Sequence, residues 1–534
     1  MRGAHETLRR CHHPGGWIQP GSHGHGGGAA GGVAEIENDG RDVRSSDANA
    51  DIAGQTVRGS LYSVVASGIT LTLGFIRAVL LARLLLPEHF GVATLALFFI
   101  NLAARLRGLG IDNALIHRQE VDERVLSTYF TIRLGLVLGS MSILAAVAPV
   151  LGRFYPQMPL LRDVLLAFVG ISVLRGLNSV QITILNKNLD FRDLALADVF
   201  SSVSMTLVAP LLAWQGWGVW SLVAEQFSGI AARAVLVWGF CRPWRPRLGW
   251  DRDIARWFWQ FGIKVWMGGN LTFLLDRFDD FWTGTALGKT PLGFYSRAYE
   301  FARYPRRVIA NPVLSVFFPA FARLQGEPLR LSRAFFRVTS LMVRLGFWFS
   351  LVFVLAAPEF IRLLLGERWL PMLTTFQLMV VYTLLDPLAL GASNLLMAVG
   401  HPDLIVRTRA AQLSLFVPAV ILFSRLGGIE GVALAADLMV VAGAVLLFRY
   451  ANRFVDYSAR ALWLWPVISL VATAGVVLAL APRWALLPAW QGLLGKAALI
   501  SGVYWTLLLL TEREQLLTGW QMIWGLLRPR LVRT

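Results

Sequence analysis

Cysteine is nearly absent. Cys11 and Cys241 are the only two among 534 residues, and neither sits in a CxxC or other ligand spacing, which excludes a disulfide framework and a cysteine metal site. No secretory leader is expected either. Residues 1–56 are rich in Gly, His, Asp and Arg, without apolar periodicity or a hydrophobic core, and read as a disordered tail. His5, His12, His13, His23 and His25 lie in that tail; its Gly-rich context fixes no geometry, so low complexity is preferred over a metal site, and no cofactor is expected.

What is present is apolar. A hydrophobic fraction of 55% with 20 tryptophans and a mean hydropathy of +0.56 place the chain outside the soluble globular range and in the membrane class. The net charge of +17 raises the question of nucleic acid. Lys and Arg, however, cluster in short segments between apolar runs, as the positive-inside bias requires, and no nucleic-acid partner is expected.

Only helices or closed barrels cross a bilayer, and a helix needs about 20 apolar residues to do so. That window yields fourteen spans. The expected organisation is a cytoplasmic tail at 1–56, an N-lobe of six spans at 57–241, a basic linker at 242–256, a C-lobe of six spans at 257–455, two further spans at 456–512 and a tail at 513–534. Alternate connections are basic, among them Arg242 to Arg256, while the intervening ones are short and poor in positive charge. Both termini are therefore expected in the cytoplasm, with no sizeable external domain.

The break LLLPEHFGV at Leu84–Val92 returns as LGKTPLGFY at Leu287–Tyr295, and Pro87 with Gly91, like Gly288 with Pro291 and Gly293, is expected to punctuate a tight hairpin. LDFRDLALADVF from Leu189 and PDLIVRTRAAQL from Pro402 make a second pair, and Gly218 and Gly431 come after Asp190 and Asp403 at equal spacing. Two ordered matches argue for duplicated six-helix halves. An even number of spans per half makes the repeats parallel, related by an axis along the membrane normal, with a central cleft between lobes.

A charged side chain deep in a span costs roughly 2.5–3.5 kcal/mol on insertion scales, so each one is a functional candidate. Arg77, Arg105, Arg175, Arg233 and Arg344 qualify, and span eight (292–318) carries Arg297, Glu300, Arg303, Arg306 and Arg307. Arg297, Glu300, Arg303 and Arg307 recur at three and four residues, which gathers them on one helix face. That face either lines water or snorkels from a shorter span. In span seven Asp276, Asp279 and Asp280 share a face and either couple transport to a cation or proton or neutralise neighbours such as Arg277. An arginine-rich cleft suits an anion, above all phosphate, which the guanidinium fork grips bidentately. Trp214, Trp217 and Trp220 around one external turn read as interface anchors.

ARLLLPEHFGVATLA, GLGIDNALIHRQE, NKNLDFRDLALAD, LGFYSRAYEFARYP, FPAFARLQ and LLLGERWLP stand in this order between Ala82 and Pro371. The ordered set resembles the polysaccharide-export flippases of the multidrug, oligosaccharidyl-lipid and polysaccharide exporter superfamily, over roughly residues 57–455. The resemblance implies an all-α bacterial inner-membrane protein of twelve to fourteen helices. It implies translocation of an undecaprenyl-diphosphate-linked oligosaccharide to the periplasmic leaflet, ion coupling, and work alongside a polysaccharide polymerase and chain-length regulator. It places a cationic cavity on Arg77, Arg175, Arg297, Arg303 and Arg307. The alternatives are another cargo on the same fold, either a peptidoglycan precursor or a cationic drug, and a membrane polymerase or ligase, which the short external connections disfavour.

Overall fold

The computed structural model describes residues 62–241, 244–484 and 486–527. The Gly/His-rich segment 1–56 with Cys11, and the terminal Arg528, Arg530 and Arg533, lie outside the described residues. Ten helices among the described residues are long and apolar enough to cross a membrane. The N-terminal half consists of α1 (Tyr62–Leu84), α2 (Pro87–Arg107), the short α3 (Ile111–His117), α4 (Glu123–Phe154), α5 (Leu161–Lys187), α6 (Phe191–Trp214) and α7 (Val219–Ala234), which runs on as a π-helix to Cys241. The C-terminal half consists of α8 (Arg252–Ala286), α9 (Lys289–Ala302), α10 (Asn311–Arg323), α11 (Pro328–Leu355), α12 (Val380–Ala398) and the long Pro402–Ala451. Two more helices come last, Ala459–Ala479 and Ala489–Leu527.

Local chemistry sets several boundaries. Asp122 caps α4 by accepting from Val125 N at 2.8 Å, and Asp251 caps α8 by accepting from Asp253 N and Ile254 N, each filling a donor that a helix start leaves orphaned. Pro402–Ala451 is two helices, α13 (402–426) and α14 (429–451). Its backbone leaves helical geometry at Gly427 and Gly428 and folds back, so that Gln412 Nε2 donates to the Met439 carbonyl at 3.0 Å.

The duplication is visible in the backbone. Leu189 (φ 61°) and Gly400 (φ 82°) occupy the same left-handed corner, and each is succeeded by the same closing bond, Asp190 N to Leu185 O at 3.0 Å and His401 N to Leu396 O at 2.9 Å, a Schellman arrangement. Gly218 (φ 55°, ψ −129°) and Gly428 (φ 56°, ψ −133°) share one unusual conformation. The structural equivalent of Gly218 is thus Gly428, three residues before the Gly431 that spacing proposes. Gly431 instead marks the crossing of α13 and α14, where a Cβ would strike the Phe423 carbonyl.

The repeated Pro and Gly also differ from expectation. Pro87 opens α2 at its first helical turn rather than ending a helix, as suits a residue without an N–H. Gly91 and Gly293 lie inside α2 and α9, and only Gly288 (φ 94°) serves the turn. A Cβ on Gly91 would meet the Lys289 carbonyl, and one on Gly293 would meet the Pro87 carbonyl. The contact is reciprocal, as a two-fold relation between halves requires. Glycine recurs because the starts of α2 and α9 touch backbone to backbone across the pseudo-axis. Gly91→Ala or Gly293→Ala inserts a methyl against a carbonyl that cannot yield, an overpacking cost of about 1–3 kcal/mol. The yield of a cross-link between cysteines at Glu88 and Lys289, whose side chains meet at 2.7 Å, is expected to fall sharply in either variant; an unchanged yield contradicts the close approach.

Candidate functional site

The face carrying the short connections is closed. Besides the glycine pair, Glu88 meets Lys289 at 2.7 Å, and Arg83 donates to the Leu363 and Leu364 carbonyls. The buried Trp369 donates to the Ala82 carbonyl at 2.7 Å, and the Tyr155 hydroxyl meets Thr285 Oγ1 at 2.7 Å. Each of these contacts joins one half to the other.

Toward the basic face the halves separate. A cavity of about 750 Å³ lies between α2, α4 and α5 on one side and α8 with residue 303 on the other, with Gly110, Asp112 and Asn113 also in its lining. Its wall carries Arg105, Arg107, Arg133, Arg175, Arg277 and Arg303 against Asp112 and Asp276. Six guanidinium groups against two carboxylates leave the chamber strongly cationic, in a setting where water screens charge poorly. Several are held by neutral or loose partners. Arg175 donates to Gln226 Oε1 at 2.9 Å, Arg107 to Ser140 Oγ at 3.3 Å, and Arg303 stands 3.9 Å from Asp276 with its guanidinium 5.2 Å from the Tyr299 ring centre. Arg133 is held more firmly, between Asp112 at 3.2 Å and Ser179.

A second space, a groove of about 1190 Å³, runs between α1 and residues 301–315, backed by α11. Its wall is aromatic, with Phe75, Phe301, Tyr304, Phe349, Phe353, Phe360 and Phe376, and Arg307 stands in it. The short segment 301–307 is a partition: Arg303 faces the cavity, while Phe301, Tyr304 and Arg307 face the groove.

Of the arginines singled out from sequence, the structure brings Arg105, Arg175 and Arg303 to one cavity, together with Asp276. Arg77, Arg297 and Arg307 lie outside its lining. Arg77 pairs with Glu225 at 2.9 Å, and Arg297 pairs with Glu300 at 2.5 Å with its guanidinium 4.5 Å from the Phe90 ring centre. Arg297, Glu300, Arg303 and Arg307 do not share one face. The α-helix ends at Ala302 and a π-helical turn comes over Arg306–Ala310; Arg307 N still bonds the Arg303 carbonyl at 3.2 Å, yet Arg303 lines the cavity and Arg307 the groove, on the two sides of the partition. Asp279 and Asp280 are buried away from the cavity. Asp279 accepts from the Tyr295 hydroxyl at 2.6 Å and from Asp280 N at 2.9 Å, and Asp280 pairs with Arg277 at 2.9 Å. Arg77 and Asp279 each find a partner within their own half.

Arg233 pairs with Asp198, and Arg344 with Glu512 at 2.7 Å, both outside the two spaces. Reading along the chain does not single out Arg107, Arg133 and Asp112, nor the carboxylate Glu225 beside Gln226 in span six. The cost of charge inside a span is the signal that reaches Arg133 and Glu225, as it reaches Arg233.

Known proteins share both the sequence pattern and the two-half architecture. The family described as "Polysaccharide biosynthesis protein" matches residues 80–374. The chain is 25% identical over 400 residues to the lipopolysaccharide biosynthesis protein WzxC of Escherichia coli (strain K12), covering 74% of this chain and 80% of that protein. It is 28% identical over 321 residues to the succinoglycan biosynthesis transport protein ExoT of Rhizobium meliloti (strain 1021), covering 58% and 62%. Among solved structures, the lipid II flippase MurJ in an inward closed conformation superposes with a TM-score of 0.67 at 14% identity, over 85% of this chain and 99% of that one. An inward-facing multidrug resistance MATE transporter of the MOP superfamily gives 0.51 at 14% identity, over 76% and 93%. The two-half helical fold is therefore one that solved membrane transporters also adopt, and the chain belongs to the polysaccharide biosynthesis protein family, whose match spans α2 and most of both halves' site-bearing helices.

Proposed function

We propose that this protein is a flippase that carries an undecaprenyl-diphosphate-linked oligosaccharide from the cytoplasmic to the periplasmic leaflet of a bacterial inner membrane by alternating access, for surface polysaccharide synthesis. The observation that carries this reading is the pairing of an arginine-rich cavity with an aromatic groove on the two sides of one partition, residues 301–307. Such a cargo has two incompatible parts. A diphosphate cannot enter hydrocarbon without several kcal/mol of desolvation cost per charge, while the polyprenyl chain belongs there. The cavity supplies guanidinium forks for the first and the groove supplies apolar wall for the second.

The basic face is read as cytoplasmic, with both termini on that side, so the conformation described is cytoplasm-facing. Arg175 and Arg303 are assigned to the diphosphate at first loading. Asp276 within the cavity and the buried Asp279 and Asp280 are assigned to ion coupling, and a polysaccharide polymerase and chain-length regulator are the expected partners. Relatives named for lipopolysaccharide and succinoglycan synthesis support this choice of cargo class.

The test uses proteoliposomes loaded with a fluorescent undecaprenyl-diphosphate oligosaccharide and a quencher confined to one side. The protein is expected to speed its passage between leaflets, with no comparable effect on the same lipid lacking the diphosphate or on a cationic dye. Equal transfer of the dye, or none of the glycolipid, sinks the proposal.

A further inference from the structure

Arg77 and Arg297, left out of the loading cavity, belong to a second cluster. Glu225 of α7 holds Arg77 of α1 at 2.9 Å and lies within electrostatic reach of Arg297 and Glu300 of α9. Tyr304 lies within reach of Arg77, Arg297, Glu300 and Arg307 together. The cluster thus joins both halves, beside the groove that Tyr304 and Arg307 line. None of the four paired side chains is sealed: Arg77, Glu225, Arg297 and Glu300 keep 16%, 15%, 18% and 26% of their side-chain surface exposed.

The two stations differ in how their cations are occupied. In the cavity Arg175 has an amide for a partner and Arg303 a carboxylate only at 3.9 Å. In the second cluster each arginine has its own carboxylate at 2.9 Å or less. The Arg297–Glu300 contact also leaves a donor over, since Glu300 Oε2 meets one arm of the guanidinium at 2.5 Å while Arg297 Nε is buried with no hydrogen-bond partner. An arginine fork with an unused donor is poised for a better acceptor, and a diphosphate offers more oxygens than one carboxylate.

We propose that Arg77 and Arg297 form a second diphosphate station and that Glu225 and Glu300 are its built-in counter-ions, occupying the guanidinium groups until cargo displaces them during the rocking of the halves. The inference rests on the diphosphate reading above. It gives the cargo a direction. Two carboxylates repel the diphosphate from the second station while the cavity loads, and they reclaim the arginines afterwards, which expels it.

Calorimetric titration of purified protein with inorganic pyrophosphate tests this. Wild-type protein is expected to bind one pyrophosphate, and the Glu225→Gln/Glu300→Gln double variant two. Adding Arg77→Ala to the double variant returns the count to one, while Glu225→Asp and Glu300→Asp, which keep the charge, leave it at one. Arg77→Ala in otherwise wild-type protein is expected to leave pyrophosphate binding unchanged while slowing glycolipid transfer about tenfold or more, a split that a purely structural role does not produce. A count that stays at one in the double variant, or an Arg77→Ala variant with wild-type transfer, overturns the station alone. No binding to wild type or to any variant overturns the diphosphate reading with it.

Discussion

Arg175→Ala is expected to abolish polymer export while leaving the protein folded in the membrane. The side chain reaches into the cavity and is held by one neutral bond, from Arg175 to Gln226 at 2.9 Å. Its removal leaves an amide facing water, so the structural cost is small. Its loss to the cargo is large. A charge-assisted bond to phosphate contributes about 1.5–3 kcal/mol, which is roughly ten- to hundredfold in affinity. Arg303→Ala is expected to act similarly, with a further loss of cation–π contact to Tyr299. Arg175→Lys keeps the charge and loses the fork, and should recover only part of the activity. Surface polymer and pyrophosphate affinity are the readouts. Wild-type polymer in both alanine variants would remove these residues from the site.

Arg344→Met is expected to have the opposite profile, a large loss of stability unconnected with cargo. Arg344 and Glu512 are buried at 2% and 5% exposure and pair at 2.7 Å, with Ser340 and Gln515 completing the arginine's donors and the Tyr504 hydroxyl bonded to its carbonyl. The backbone of the last helix leaves helical geometry at Glu512 (φ −139°, ψ 36°), so the helix bends where the pair is made. With Lys496–Glu359 at 2.7 Å and Trp348 Nε1 to Ser501 Oγ at 3.0 Å, this pair fastens the C-terminal helices to the second half. Removing one partner strands a buried charge at a cost of about 3–5 kcal/mol, whereas an apolar pair in its place is near neutral. Thermal unfolding in detergent should show a marked fall for Arg344→Met and recovery in Arg344→Met/Glu512→Leu. If the single variant melts like wild type, the fastening role is wrong.

Both arginines meet the same criterion in the sequence, guanidinium at bilayer depth. Cost of insertion identifies a charge that must be accommodated, but not whether a cavity or a carboxylate accommodates it. Glu512 lies 168 residues from Arg344, and nothing local announces the pair. Glu225 is legible as a carboxylate inside span six, yet its meaning depends on α1 and α9 lying beside α7. The repeated Pro and Gly illustrate the same division. Their recurrence is readable as duplication, while Gly91 and Gly293 read as turn formers because close approach to a distant carbonyl leaves no trace in the residues around them.

Sequence by itself determined the solvent of this protein, its helical class, its two-fold ancestry and its excess of cationic side chains at bilayer depth, because hydropathy, charge alternation and repeat spacing are properties of composition along the chain. Tertiary structure decided which arginines share a chamber. The segment 301–307, packed between two spaces, presents Arg303 to one and Arg307 to the other, and contacts across the pseudo-axis fix which face is closed. Those outcomes depend on packing between residues far apart in the chain, where small changes in helix register select the neighbour each charge meets.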